Sequence, residues 1–77
     1  MREEFTRETS RFFAQDDDGE EYTLIEFTKF YRGEQVGGPD FTLNGPKHYE
    51  LDDGSPVNHR KDGTFIIIDG GKILRKV

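Results

Sequence analysis

Two histidines, a run of acids and a basic tail are the places where this chain could do chemistry. His48 and His59 flank an Asp53-Gly54 pair. A two-residue hairpin turn centred on that pair sets the imidazoles opposite each other. Two close imidazoles, with Glu50 or Asn58 beside them, could hold a transition metal. Zinc sites use three or four protein ligands, and the sequence offers no clear third. The competing reading is a pair of exposed histidines. Asp16, Asp17, Asp18, Glu20 and Glu21 invite calcium, but the alternating ligand spacing of an EF-hand and its bidentate Glu are missing. They read as a solvated turn or an acidic partner-binding surface. Ser55, His59 and Asp53 lie in one hairpin with no oxyanion donor implied, and no cysteine nucleophile exists. Gly70-Gly71-Lys72 is followed by Ile73 and not by the Ser or Thr of a phosphate loop. The expectation is a protein with no enzymatic activity and no cofactor.

The charge is uneven. Residues 1–38 carry 5 Lys/Arg against 10 Asp/Glu, and residues 39–77 carry 6 against 6. The acidic half disfavours nucleic acid as a partner. Lys72, Arg75 and Lys76, with Arg60, Lys61, Phe65 and Tyr49, form the one candidate patch for a single strand. No stretch nears the roughly 20 apolar residues of a membrane span, and the charged start lacks a signal-peptide core. No membrane is expected as a partner. Lack of cysteine is compatible with the cytoplasm.

The elements that must position these residues are strands. Asp18-Gly19, Asp53-Gly54, Asp62-Gly63 and Gly70-Gly71 supply the positive-φ residues of hairpin turns. Tyr22–Tyr31 is rich in aromatic and β-branched residues. With Asp18-Gly19 central, Phe13 faces Leu24 and Phe12 faces Ile25. A register one residue shorter would set Arg7 against Lys29, which is unfavourable. The preferred register gives one face Phe5, Phe13, Leu24 and Phe30, and the other Phe12, Ile25, Phe27 and Tyr31. Two apolar faces imply strong twist, closure into a barrel or a covering partner. In the tail, two-residue turns set His59 opposite Ile66, Ile68 opposite Ile73 and Ile67 opposite Leu74. Residues 1–4 are expected to fray. Residues 32–47 read as one long connection, with Phe41-Thr42-Leu43 as a short strand or apolar anchor. The fold expected for residues 1–77 is one all-β domain. It has a single antiparallel sheet of five to six strands, strongly curved or closed as an open barrel. A long N-terminal hairpin is followed by a C-terminal meander.

Tyr49-x-Leu51-x-Asp53-Gly54-x-Pro56-Val57, Asp62-Gly63-Thr64-Phe65-x-Ile67, then Gly71 and Leu74 together resemble the C-terminal half of small uncharacterised bacterial proteins. Leu74 and Arg75 are adjacent here, where that pattern separates them by one residue. The resemblance covers about 30 residues and implies a small all-β protein of bacterial or phage origin, with no catalytic residues to carry over.

The expected function is binding of another protein, as a monomer or weak homodimer, through exposed aromatics or a sheet edge. Candidate contact residues are Asp16, Asp17, Asp18, Tyr31 and Phe41. The alternatives are an inhibitor whose acidic hairpin imitates a phosphate backbone, and a barrel binding metal through His48 and His59 or single strands through its basic tail.

Overall fold

In the computed structural model, which describes residues 3–34 and 37–77, glycine-bearing turns set the architecture. Asp16, Leu51 and Arg60 each donate their N–H to the carbonyl four residues on, at 3.1, 2.9 and 2.8 Å. Their own carbonyls accept the N–H of Gly19, Gly54 and Gly63, whose φ values are +83°, +90° and +87°. This is the three-residue hairpin loop that ends in a left-handed glycine. Asp16, Asp53 and Asp62 brace these loops by accepting the N–H two residues ahead, each at 2.9 Å.

The strands are β1 (Glu3–Gln15), β2 (Glu21–Gly33), β3 (Phe41–Leu51), β4 (Pro56–His59), β5 (Phe65–Ile67) and β6 (Ile73–Lys76). Each pairs antiparallel with the next, and β6 returns to β1 to close a barrel. The expected all-β sheet, long first hairpin and closing meander are all present. The two-residue turns are not. The extra loop residue shifts each register by one, and in a sheet that slip moves side chains to the other face. Phe12 therefore faces Leu24, and His59 faces Phe65. The last turn is longer still, with Gly70 and Gly71 both at positive φ. It leaves Ile66 opposite Ile73 and Phe65 opposite Leu74.

A second irregularity lies within the first hairpin. The β1–β2 register changes between Glu8 and Ser10. Continued from the turn without a break, it would oppose Arg7 to Lys29. With Thr9 bulged out of the ladder, Thr6 faces Lys29 and Arg7 faces Thr28. The inner face of the hairpin therefore carries Phe5, Phe12, Leu24 and Phe30. The outer face carries Phe13, Ile25, Phe27 and Tyr31. The expected grouping exchanged Phe12 and Phe13, and Phe13 is 54% exposed.

The apolar core sits at one end. Ala14, Leu24, Leu51, Val57, Phe65, Ile67 and Leu74 form the core, with Phe12, Tyr22 and Tyr49 packed against it. β1 pairs with β6 at Ala14–Lys76 and Gln15–Arg75, and the Val77 N–H adds a bond to the Phe13 carbonyl at 3.1 Å. Beyond that short closure β1, β2 and β3 run on as a three-stranded arm, and the molecule measures 57 × 20 × 18 Å. The expected 32–47 connection shrinks accordingly. β2 continues to Gly33 and β3 begins at Phe41, because Phe41–His48 finds a full-length partner in the outer half of β2. Residues 35 and 36 of that connection lie outside the described residues. Glu3 and Glu4, expected to fray, pair with Arg32 and Tyr31; residues 1 and 2 lie outside the description.

A Cβ added at Gly54 or Gly63 meets nothing within 4 Å, so substitution there strains the backbone alone. Gly54→Ala and Gly63→Ala should each lower unfolding free energy by about 1–2 kcal/mol in urea titrations, with an unchanged slope.

Candidate partner-binding surface

The acidic turn and the basic tail answer each other. β6 lies beside the end of β1, so Lys72 Nζ comes within 3.3 Å of Asp16 and Arg75 Nη1 within 3.0 Å of Asp17. Asp16 is buried. Its burial raises the carboxyl's pKa, but the Glu20 N–H, the Lys72 ammonium and the Asp18 N–H outweigh that and hold it below the usual carboxylate range. Lys72 is raised in turn by its contact with the Tyr22 hydroxyl (3.1 Å) and by Asp16. Lys76 lies 4.8 Å from the centre of the Phe12 ring. Asp16 thus braces a turn and an ion pair. Asp17 and Asp18 are exposed.

The register separates the two histidines that a two-residue turn would have joined. Tyr49 faces Val57 and Glu50 faces Pro56, so His48 is not opposite His59. His48 stacks on Phe27 on the outer face at 5.0 Å, with Nε2 2.9 Å from Glu50. His59 stacks on Phe65 at 4.5 Å, on the side of the core. Among the described residues no group of three or more His, Asp or Glu side chains could hold a metal ion. The paired-imidazole site expected from sequence does not form.

Tyr31 and Phe41, by contrast, share the outer face of the arm. Leu43 faces Tyr31 directly, and Phe41 faces Gly33. The Phe41 ring lies where a Cβ on Gly33 would be, and the Tyr31 ring where one on Gly45 would be. The two glycines let both rings lie against bare backbone. Phe41 remains 38% exposed and Leu43 52%. Leu43 was read from sequence only as part of a short strand or apolar anchor with Phe41, and not as a contact residue. Its parity with Phe41 on that strand was the available signal.

The inner face of the arm carries a different surface. Phe5 and Phe30 stack with centroids 5.5 Å apart, and the Arg7 guanidinium lies 5.0 Å from the Phe5 centroid. With Arg32, Asp40 and Thr42 they line an open cleft of about 450 Å³. Arg32 pairs with Asp40 at 3.3 Å, whereas Arg7 has no carboxylate within ion-pair distance among the described residues.

Where arm joins barrel, Glu26 ties three strands together. Its carboxylate accepts hydrogen bonds from the Thr9 hydroxyl at 2.7 Å, the Tyr49 hydroxyl at 3.0 Å and Lys47 Nζ at 3.2 Å. The Thr9 bond does most to hold its pKa below the usual value, and Lys47 and Tyr49 add to it against the cost of burial. Thr28, 1% exposed, bonds both Thr9 and Lys47.

No family model matches the sequence, and no curated protein or solved structure matches it.

Because folding lowers the Glu26 pKa, its contribution is complete above the unfolded value of about 4.3 and is lost as pH falls through the folded value. Glu26→Gln should lower stability at pH 7 by about 1–3 kcal/mol and lose less than the parent protein on going to acid. Urea unfolding at neutral and acidic pH checks both.

Proposed function

We propose that the protein is a non-enzymatic protein-binding module whose arm docks a folded protein partner on its outer face. The observation that carries this is the placement of Tyr31, Phe41 and Leu43 together on a sheet that no second layer covers among the described residues. Contiguous exposed apolar surface rimmed by polar residues is characteristic of interaction sites. The rim here is Lys29 and Glu4, themselves paired at 3.2 Å. The barrel end acts as the scaffold that holds the arm. The cleft lined by Phe5, Arg7, Phe30, Arg32, Asp40 and Thr42 is open to solvent. A cytoplasmic location fits the absence of cysteine.

Phosphate mimicry and single-strand binding draw less support. Each would use charges already engaged with one another, Asp16 with Lys72 and Asp17 with Arg75.

The test is affinity capture from extracts of the source cells, run in parallel with variants. The tagged protein should retain a stoichiometric protein partner. Phe41→Ser combined with Leu43→Ser should weaken retention by at least about tenfold, while Asp17→Ala combined with Asp18→Ala leaves it unchanged. Unaltered capture by the Phe41/Leu43 variant, with its strand circular dichroism intact, would overturn the reading.

A further inference from the structure

The arm has two unpaired edges, and they are not equivalent. The β3 edge is interrupted by a register shift and by Pro46, which has no N–H to offer. The β1 edge runs unbroken from Glu3 to Glu8, up to the bulge. It contains neither Gly nor Pro, and among the described residues no strand covers it. An edge of this kind is a template for another strand.

We infer that this edge pairs antiparallel with the same edge of a second copy, centred on Phe5, to make a six-stranded two-fold sheet. Symmetry limits the choices. Two antiparallel neighbours related by a two-fold axis must use an axis perpendicular to the sheet. Each residue then stays on its own face, so inner residues face inner residues and the ladder is centred on a single residue. Centring on Glu4 opposes it to the partner's Glu4. Centring on Thr6 opposes Glu4 to the partner's Glu8 twice. Centring on Arg7 opposes two guanidiniums. Centring on Phe5 alone places no like charges together between Glu3 and Arg7. It sets Glu3 opposite the partner's Arg7 in both directions, and Glu4 opposite the partner's Thr6. Phe5 then meets the partner's Phe5.

Unmet charge supports the same centre. Arg7 stacks on Phe5 without a carboxylate partner, and Glu3 makes no ion pair among the described residues. Both lie on the inner face, two positions either side of Phe5. Pairing gives each a partner of opposite sign. The Phe5–Phe30 stack would extend across the axis into a row of four rings. The two barrels lie at opposite ends and do not meet. The outer face with Tyr31, Phe41 and Leu43 stays open, so this inference stands or falls separately from the proposed docking site.

The experiment is sedimentation equilibrium on the full chain, from low micromolar to about 1 mM, since short edge interfaces are weak. The parent protein should show reversible dimerisation. Arg7→Glu and Glu3→Arg each create two like-charge contacts and should weaken the dimer by about tenfold or more. The doubly reversed variant should recover it. Circular dichroism confirms that each variant keeps its strands. A monomer throughout the range would overturn the inference. So would a dimer indifferent to the single reversals, or one that the double reversal fails to restore.

Discussion

In an antiparallel sheet the parity of the register decides which face every side chain occupies, and here that parity is set by glycines in the left-handed region. Gly19, Gly54 and Gly63 each close a loop of three residues where an Asp-Gly pair could equally have closed one of two. Everything downstream depends on that extra residue. It brings Phe12 to Leu24 and leaves Phe13 in solvent. It also sends His48 and His59 to different sides of the sheet, dissolving the site their spacing suggested.

The bulge at Thr9 is the complementary device. It corrects the one clash the turn-determined register creates, between Arg7 and Lys29, and it turns the Thr9 hydroxyl onto Glu26 and Thr28. One residue thus resets the alignment of the arm and anchors it to the barrel. Beyond that anchor no second layer covers the arm among the described residues. The chain keeps three strands ordered by stacking rings on rings and laying rings over glycines, so apolar surface remains on the outside.

Much of the fold was legible because its signals are local. Asp-Gly pairs mark turns, aromatic and β-branched runs mark strands, and the balance of the two implied a curved or closed sheet. The tail pattern from Tyr49 to Leu74 consists of residues with structural duties. Asp53-Gly54 and Asp62-Gly63 form loops, and Leu51, Val57, Phe65, Ile67 and Leu74 form core. That pattern describes a scaffold, which is why it points to no chemistry. What sequence could not supply was loop length, since Asp-Gly suits both a two-residue and a three-residue turn. Phe41 and Tyr31 were visible as candidates, but their shared face was not, because Phe41-Thr42-Leu43 read as a short strand or anchor inside a long connection, with no sign of its pairing to β2. The ion pairs of Asp16 with Lys72 and of Asp17 with Arg75 were equally hidden, since they join residues far apart in the chain.

A bulge at Thr9 fixes which residues of the arm share the inner face. Interstrand nuclear Overhauser contacts test it most directly. Arg7 should show contacts to Thr28, and Phe5 to Phe30, across the ladder. Contacts joining Arg7 to Lys29 and Thr6 to Phe30, as an unbroken register would give, would contradict the bulge.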